Sequence, residues 1–348
     1  MSDFSCPVVR IESISPIPGA DEIELAKVFD IDVIVPKGRY GNSDNAIYLP
    51  PDSVLPGDLA ASLKGQAKLF GEKKNRVRPY RLRGAFSEGI LIGPIPRGKV
   101  GEDVSVSLGV VKYEQPIPTP WRGECIFLPG STVAYDIRSA RRWPHVVRNG
   151  EPVEITEKLH GTMCAIGYLP GLNDPRLPDG DTLVYSKSLG ETGHVLKAPN
   201  PENLYLKAAF GMRRRLRGAF NGRSATVFGE IYGGTVQDLS YGQAEPTFSA
   251  FDIYLGTPGR GRWLNREEFN RVVGEIAPSV PILYSGPLVG GIVERLASGA
   301  TISGNMAHMR EGVVVRSQKE RTDPRIGRVI VKYISPEYLT RKGGTEFH

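Results

Sequence analysis

The sequence predicts an α+β protein in which a small closed β barrel is followed by a larger domain of antiparallel sheets flanked by helices. The length of 348 residues is typical of two domains. The 41 glycines and 28 prolines are scattered along the chain, which is typical of short strands joined by turns and unlike a helical bundle. The second half combines longer apolar strands with two helical segments, which favours a mixed fold there.

The composition excludes several classes of protein. With 40% hydrophobic and 24% charged residues, the chain can build apolar cores and is not a disordered polypeptide. No apolar run reaches membrane-spanning length, and the first residues lack the basic and apolar regions of a signal peptide. Cys6, Cys125 and Cys164 cannot all pair and lack metal-ligand spacing, which disfavours a disulfide scaffold or a structural zinc site. We therefore expect a cytoplasmic protein that binds no membrane. We also expect a monomer.

The net charge of +6 is unevenly distributed. Residues 1–140 contain 17 Lys or Arg and 17 Asp or Glu, so the whole excess lies in the remainder. The first part nevertheless contains one basic run at residues 64–83, in which Phe70 and Tyr80 alternate with cations and Glu72 is the single acid. Aromatic rings among cations are typical of surfaces that bind nucleic acid strands. The predicted nucleic-acid-binding residues are Lys73, Lys74, Arg76, Arg78, Arg81 and Arg83.

Alternation of apolar and polar residues predicts short strands throughout the first half. The turns between them contain Gly, Pro, Asn or Asp, for example at residues 16–21, 38–42 and 50–57. Repeated short strands of this kind fit a small closed barrel. The predicted strands are at residues 8–14, 24–29, 31–35, 46–49, 89–92 and 101–104.

A segment with alternating prolines separates the two halves. Pro116, Pro118 and Pro120 precede Trp121, and such spacing favours an extended, stiff chain. We interpret residues 113–121 as an interdomain linker, and an ordinary surface loop is the alternative interpretation.

The second half has longer strands and two predicted helices. One helix is expected over residues 201–216, with a basic end at residues 213–217, and a second over residues 265–276. Asn265 caps the second helix, whose first turn contains Glu267 and Glu268. The predicted strands are at residues 153–155, 163–166, 183–186, 225–232, 248–254, 311–316 and 328–334.

Charged residues interrupt strands that would otherwise be apolar. A buried charge is unfavourable unless it is paired or contacts a ligand. One or two such residues could form core ion pairs, but five residues of both signs are better explained by a polar cleft between two sheets. The five are Lys158, Glu230, Asp252, Glu311 and Lys332.

Six short motifs carry these charges, and their order resembles that of a known family. They are EKLHGT (157–162), SK (186–187), FGE (228–230), FSAFDI (248–253), EGVVVR (311–316) and VKY (331–333). Over residues 135–340 the chain resembles the covalent nucleotidyltransferases, specifically ATP-dependent RNA ligases of the phage RNA ligase 2 type. The first half resembles the OB-type domain at the N-terminus of a nick-sealing branch of these ligases. The resemblance implies an OB-like nucleic-acid-binding domain at 1–120 and a nucleotidyltransferase domain at 130–348.

The resemblance also implies a role for each motif residue. Lys158 would attack the α-phosphate of ATP to form a lysyl-AMP, and Lys332 would stabilise the developing charge. Glu157 would accept a hydrogen bond from adenine N6, and Phe251 would stack on the ring. Gly161 and Lys187 belong to the nucleotide-binding set. Glu230 would contact the ribose or a metal-bound water, and Glu311 would bind Mg²⁺ or Mn²⁺.

The chain departs from the family pattern at two positions. Met163 stands where the phage type usually has Asn, which leaves the contacts to the substrate ends open. The last motif lacks the second lysine of the family's Lys-x-Lys pattern, and the candidates for the missing cation are Arg328, Arg316 and Lys342. His160 has no second histidine at ligand spacing, so we expect it to make structural or polar contacts.

The resemblance implies an enzyme that joins 3′-OH and 5′-phosphate ends of RNA or of a nicked duplex, with RNA on the 3′-OH side, in RNA repair. Because little sequence follows Lys332, we expect no C-terminal OB domain of the DNA ligase kind, which favours an RNA ligase. Two alternatives stay open at this point. One is another covalent nucleotidyltransferase, such as a DNA ligase or a GTP-using capping enzyme, and the other is a non-catalytic RNA-binding OB protein.

Overall fold

The computed structural model describes residues 4–113, 124–198, 200–304 and 308–341. Pro116, Pro118, Pro120 and Trp121 of the predicted linker, and Lys342, lie outside these residues. The chain forms two compact units, Met1–Pro116 with Arg141–Pro144, and Ile117–Ala140 with His145–His348. None of the described helices is both long enough and apolar enough to cross a membrane.

The first unit consists of short strands and one short helix. Its elements are β1 (Val8–Arg10), β2 (Ser13–Pro16), β3 (Ile23–Val28), β4 (Ile31–Pro36), β5 (Asn45–Leu49), β6 (Ser53–Val54), α1 (Gly57–Ser62), β7 (Tyr80–Leu82), β8 (Ala85–Ser87), β9 (Ile90–Ile92) and β10 (Val111–Lys112). Most of these strands belong to two antiparallel sheets, with the strand orders β2-β3-β4 and β1-β5-β9.

Both sheets of the first unit pack on one apolar core. Val9 of β1, Val28 of β3, Val33 of β4 and Tyr48 of β5 are buried in the same cluster. This arrangement follows from the alternation in each strand, because every second side chain points to the same face. The single strand predicted at residues 8–14 is divided into β1 and β2. Residues 101–104 form no strand, although Asp103 bridges to Pro7.

The second unit contains longer strands and most of the helices. Its elements are β11 (Cys125–Phe127), β12 (Arg138–Ser139), β13 (Pro152–Lys158), β14 (Gly161–Tyr168), a 3₁₀ turn (Pro178–Gly180), β15 (Thr182–Ser186), α2 (Lys187–Glu191), β16 (His194–Leu196), α3 (Leu204–Ala209), α4 (Met212–Ala219), β17 (Ala225–Tyr232), β18 (Thr247–Leu255), β19 (Arg262–Trp263), α5 (Arg266–Ile276), β20 (Ile282–Pro287), α6 (Ile292–Ala297), β21 (Gly312–Ser317), β22 (Thr322–Asp323), β23 (Gly327–Arg328), β24 (Ile330–Ile334) and α7 (Pro336–Leu339).

Two five-stranded sheets dominate the second unit. Sheet 1 has the order β12-β24-β21-β13-β20, and sheet 2 has the order β15-β14-β17-β18-β19. The largest apolar cluster of the chain contains Phe228 of β17, Ile253 of β18, Val314 of β21 and Ile330 of β24. Side chains from both sheets therefore share one core. The α+β prediction is confirmed, and the predicted strand at residues 225–232 coincides with β17.

The two predicted helices have different outcomes. Helix α5 is confirmed, and Asn265 and Glu268 form a reciprocal capping box at its start. The helix predicted over residues 201–216 is wrong in extent, because the chain breaks at Gly211, whose φ of 73° lies in the left-handed region. Arg213 consequently lies in the first turn of α4 rather than at a basic helix end, and its Nε donates to Asp181 Oδ1 over 2.5 Å.

A bidentate ion pair fixes the start of β13. Nε and Nη2 of Arg321 donate to the two oxygens of Glu151 over 2.7 and 2.6 Å, and the backbone N–H of Arg148 donates to the same carboxylate. Burial opposes the charged form of Glu151, but these donors outweigh it and lower the pKa of Glu151 to about 2. The pair therefore stabilises the fold above the ordinary pKa of glutamate and stops doing so as the pH falls toward 2.

The variant Glu151→Gln should lose about 3 kcal/mol of unfolding free energy at pH 7. At pH 3 this loss of unfolding free energy should shrink to less than half. The pH then lies below the ordinary pKa of glutamate, so the unfolded chain is protonated, and it approaches the lower pKa of the folded protein. Urea unfolding at both pH values measures this difference. Glu267→Gln, which removes the exposed pair with Arg271, is the control and should change little at either pH. An equal loss at pH 7 and pH 3 for Glu151→Gln would contradict the argument.

Candidate active site

The centre of the site is an ion pair between Lys158 and Glu311. Lys158 is the last residue of β13, and its register partner on β21 is Gly312. Glu311 directly precedes Gly312, so the sheet register brings it beside the lysine. The distance from Lys158 Nζ to Glu311 Oε1 is 2.7 Å, and Glu311 is only 1% exposed.

Two further lysines lie near this pair. Lys332 on β24 pairs with Val314, two residues from Gly312, so Lys332 and Lys158 project from the same face of sheet 1. Burial and, to a smaller extent, repulsion from Lys187 and Lys158 together lower the pKa of Lys332 to about 8. Lys187 begins α2, and its Nζ lies 2.7 Å from Asp136 Oδ1. Three cations therefore converge on one end of the sheet.

Glu230 reaches the same place from sheet 2. The chain crosses from β13 to β14 at residues 159–160, and Gly161 then pairs with Tyr232 on β17. A Cβ at position 161 would collide with the carbonyl oxygen of Ile231, so this close approach requires glycine. The backbone N–H of Gly161 donates to the Glu230 carboxylate. Burial raises the pKa of Glu230 to about 8, where Lys158 opposes the rise and Glu311 adds to it.

The charge state of Lys158 depends on these two glutamates. Burial lowers the pKa of the amine, but Glu311 and Glu230 outweigh it, so the pKa lies above the ordinary value for lysine. The side chain is therefore an ammonium at neutral pH. It becomes a nucleophile only when its proton has been removed.

One buried carboxylate oxygen in the site lacks a hydrogen bond. Among the residues that the structure describes, none donates a hydrogen bond to Glu311 Oε2, and His160 Nδ1 lies 4.0 Å from it. In the described part of the chain, no three His, Cys, Asp or Glu side chains are arranged to hold a metal ion by themselves. Two carboxylates, Glu311 and Glu230, nevertheless supply the oxygen donors that Mg²⁺ and Mn²⁺ prefer, and these ions complete their coordination with water or phosphate oxygens. The residues present therefore fit a divalent cation.

A β-bulge sets the position of Phe251. In the pairing of β17 with β18, Phe228 faces Asp252 and Gly229 faces Ala250, so Phe251 is the extra residue. A bulge of this kind redirects a side chain next to a site. The half-buried ring packs against the apolar cluster that contains Leu159, the residue after Lys158. It also lies 5.1 Å, between ring centroids, from Tyr135.

Glu157 lies apart from the other predicted site residues. Because side chains alternate along a strand, Glu157 projects from the face of sheet 1 opposite to Lys158. There its carboxylate accepts hydrogen bonds from Thr301 Oγ1 and from the backbone N–H of Ile302, and Arg310 Nε lies 3.7 Å away. Both of its oxygens are thus engaged within the protein, and neither is turned toward the lysine cluster.

His160 links the crossing between the sheets to the last helix. Its Nε2 lies 2.7 Å from Asp238 Oδ1, and its Nδ1 lies 2.6 Å from the Tyr338 hydroxyl on α7. Burial lowers the pKa of His160, which favours the neutral ring. The expected structural and polar role agrees with these contacts.

Arg316 and Arg328, two candidates for the missing cation, form ion pairs with other acidic residues. Arg316 Nη1 and Arg328 Nη1 donate to Asp252 Oδ2 over 3.0 and 2.6 Å, and Arg328 also binds Glu320. The Tyr135 hydroxyl donates to the same Asp252 oxygen. These arginines are parts of a buried ion network, so Lys187 is the better candidate for the second cation beside Lys332.

In the first unit, the predicted nucleic-acid-binding residues do not form a uniform set. Arg76 donates to Asp52 and stacks on Tyr113, with 3.7 Å from its guanidinium carbon to the ring centroid, which is a structural arrangement. Arg78 lies 5.8 Å from the Phe70 ring centroid, and Arg81 lies 5.7 Å from that of Phe86. Lys73, Lys74 and Arg83 are exposed.

Two family models match parts of this chain. A family model described as RNA ligase matches residues 151–334, which is more than half of the chain. The chain belongs to the RNA ligase family. A model described as an OB-fold domain matches residues 6–95. No curated protein sequence gives a significant match.

Solved structures of an RNA ligase from Naegleria gruberi share the fold over nearly the whole chain. A variant with ATP and Mn has a TM-score of 0.76 and 24% identity, covering 97% of this chain and 98% of that one. An apo variant has a TM-score of 0.76 and 25% identity, covering 96% of each chain. The same ligase with pyrophosphate has a TM-score of 0.75 and 24% identity, covering 96% of this chain and 97% of that one.

Sequence reasoning missed several residues around the site. Tyr135 and Asp136 precede the motifs and carry no pattern of their own. Glu154 and Arg266 form a buried ion pair with 2.5 Å between Arg266 Nε and Glu154 Oε1, although 112 residues separate them. Glu154 is a charged residue inside the otherwise apolar strand β13, like the five charged residues that predicted a polar cleft. Its position in that strand was the available signal.

The variant Gly161→Ala should lose about 1–3 kcal/mol of unfolding free energy, because the new methyl group meets backbone rather than a mobile side chain. Urea unfolding measures the loss. Gly218→Ala is the matched control, since nothing lies within 4 Å of its added Cβ and α4 is helical there. The control should be neutral or slightly stabilising. Equal stability of Gly161→Ala and wild type would mean that the approach of β14 to β17 is looser than described.

Proposed function

We propose that this RNA ligase uses ATP to join a 3′-OH end to a 5′-phosphate end through a lysyl-AMP on Lys158. We further propose that it seals nicks with RNA on the 3′-OH side, in RNA repair. The observation that carries the first proposal is the convergence of Lys158, Glu230, Glu311 and Lys332 from two sheets in a member of the RNA ligase family. The related Naegleria ligase has been solved with ATP and Mn, with AMP and Mn, and with pyrophosphate, which supports ATP as the nucleotide.

The first step is attack of the neutral Lys158 amine on the α-phosphorus of ATP. A nitrogen–phosphorus bond forms, the bond from that phosphorus to the bridging oxygen breaks, and pyrophosphate leaves. In the second step an oxygen of the 5′-phosphate end displaces Lys158 and takes up the AMP. In the third, the 3′-OH attacks that 5′-phosphate, and AMP leaves. All three are displacements at phosphorus, so positioning and charge stabilisation dominate catalysis.

Removal of the Lys158 proton is the first requirement. Glu311 stabilises the ammonium, so the amine loses its proton more readily when the Glu311 charge is neutralised by another cation. We assign Glu311 and Glu230 as ligands for Mg²⁺ or Mn²⁺, which would supply that neutralisation and polarise phosphate oxygens when bound.

We assign Lys332 and Lys187 to contacts with the triphosphate of ATP. Lys332 has a pKa of about 8 among other cations, and a bound triphosphate would favour its charged form. An ammonium already in position when negative charge develops on the α-phosphate lowers the barrier without reorganisation. Lys187 would supply the second cation of the last motif.

We assign the adenine base to Phe251, the bulged residue whose ring packs against the apolar cluster that contains Leu159, the residue after Lys158. Aromatic stacking of this kind favours a planar base. Glu157 is given a different role from that implied by the family resemblance. Its carboxylate binds Thr301 and Ile302 on the opposite face, so we assign it to fixing that segment rather than to adenine.

The remaining parts of the proposal concern the nucleic acid and the setting. We propose residues 1–120 as the OB-like domain that binds RNA or a nicked duplex, and residues 130–348 as the nucleotidyltransferase domain. Lys73, Lys74, Arg78, Arg81 and Arg83 are the candidates for phosphate contacts, whereas Arg76 is engaged with Asp52. We further propose that the enzyme acts as a monomer in the cytoplasm.

Incubation with ATP and a divalent cation should attach one AMP to Lys158, and Lys158→Ala should abolish the adduct. Mass spectrometry of the intact protein and its peptides measures this. Lys207→Ala, which removes an exposed lysine paired with Glu202, is the control and should retain the adduct. An AMP on another lysine would exclude Lys158 as the nucleophile. A guanylate adduct in place of the adenylate would instead indicate a capping-type enzyme.

The double variant Lys73→Ala/Lys74→Ala should leave AMP attachment unchanged but weaken sealing of nicks. Each lost phosphate contact should lower the dependence of log affinity on log salt by a slope of about 0.9. Nick sealing at two salt concentrations measures this, with RNA or DNA on each side of the nick. Arg97→Ala/Lys99→Ala removes the same charge outside the run and serves as the control. Equal sealing of DNA and RNA 3′-OH ends would overturn the proposed RNA preference.

A further inference from the structure

Arg266 joins two elements that carry proposed site residues. It is the first residue of α5 and is only 3% exposed. Its Nε donates to Glu154 Oε1 over 2.5 Å, and its Nη1 donates to the carbonyl oxygen of Phe251 over 3.1 Å. Its guanidinium carbon lies 4.0 Å from the centroid of the Phe269 ring, so the group also packs on that ring. One buried side chain therefore contacts both sheets.

The acceptor in sheet 1 lies on the strand of the nucleophile. Glu154 is four residues before Lys158 on β13 and projects from the same face. Glu154 is 2% exposed, and its second oxygen accepts a hydrogen bond from Asn270 Nδ2 over 3.0 Å. Both carboxylate oxygens are thus directed at α5, so the position of that helix is tied to β13.

The acceptor in sheet 2 is the carbonyl of the bulged residue. The same Phe251 oxygen accepts a second hydrogen bond from Arg316 Nη1 over 3.0 Å, and Arg316 lies on β21 next to β13. Two guanidinium groups, from α5 and from sheet 1, therefore hold one carbonyl of sheet 2. A bulge needs such contacts, because its extra residue interrupts the regular ladder of hydrogen bonds.

We propose that Arg266 is a positioning residue that sets the separation between Lys158 and the ring of Phe251, and through it the placement of the adenine relative to the nucleophile. This inference rests on the proposed function, in which Phe251 stacks on the base. Arg266 itself makes no contact with ATP in this proposal. The effect is transmitted through the backbone of Phe251 on one side and through Glu154 on the other.

The chemistry explains why arginine stands at this position. A guanidinium presents donors in a fixed plane, so it binds a carboxylate and a carbonyl at a defined angle and distance. A lysine ammonium at the same place can keep the charge opposite Glu154 but is a single flexible donor centre. An apolar side chain would pack more favourably than a buried ion pair in many cores, so the pair is better explained by geometry than by stability.

The test is the variant Arg266→Lys, measured by single-turnover formation of lysyl-AMP at varied ATP. The ATP concentration for half-maximal rate should rise about tenfold, while the rate at saturating ATP should fall by a smaller factor. The triphosphate of 2-aminopurine riboside, whose fluorescence is quenched by stacking, should be quenched less in its bound state than in wild type. Arg266→Met/Glu154→Gln removes both charges together and should show the same two changes if Arg266→Lys does not fold.

Arg321→Lys is the matched control. It alters a second bidentate pair, with Glu151 at the start of β13, but touches neither Phe251 nor Glu154. We expect Arg321→Lys to lose a similar amount of stability. The ATP concentration for half-maximal rate and the quenching of the bound 2-aminopurine should not change. The inference is overturned if Arg266→Lys leaves both readouts unchanged, or if Arg321→Lys moves them equally. Absence of any AMP adduct in the wild type would instead contradict the proposed function itself and remove the basis of this one.

Discussion

The Lys158–Glu311 ion pair is the interaction around which the second unit is arranged. It exists because β13 ends opposite the start of β21, and because the chain then crosses to sheet 2 within two residues. That short crossing is possible only with glycine at position 161, where β14 lies against β17. The same crossing brings Glu230 beside the lysine. The register of β13 with β21, the glycine at position 161 and the closeness of the charged side chains therefore depend on one another. A change in one of them alters the others.

The interior of the second unit is unusually rich in charge, and the charges are organised. Asp252 binds Arg316 and Arg328, while Glu154 binds Arg266. Loss of one partner would leave a buried charge uncompensated, which is far more unfavourable than the net gain from the pair. Such networks contribute little to stability but permit one relative arrangement of their elements. Here they connect the strand of Lys158 with the bulge at Phe251.

Local sequence patterns predicted those helices and strands whose formation depends on neighbouring residues. Alternation along residues 225–232 predicted β17, and the Asn265 cap predicted the start of α5. The helix over residues 201–216 failed because Gly211 adopts positive φ, a choice that composition does not reveal. In the candidate site, motif order singled out Lys158, Glu311 and Lys332, which the two strands β21 and β24 bring beside β13. The partners of Glu157 lie more than 140 residues away and could not be predicted from local sequence. The pairing of Glu154 with Arg266 spans 112 residues, and no spacing rule could predict it.

The charge of the cleft explains why a cation and a triphosphate should act together. Without them, Lys158 is an ammonium stabilised by Glu311 and Glu230, so a nucleotide alone, which adds negative charge, would hold its proton more firmly. Neutralising Glu311 has the opposite effect on Lys158. The triphosphate then acts on Lys332, whose pKa of about 8 leaves it partly uncharged near neutral pH. The two lysines must reach opposite charge states a short distance apart. Glutamates beside Lys158, and other lysines beside Lys332, allow each to be adjusted separately.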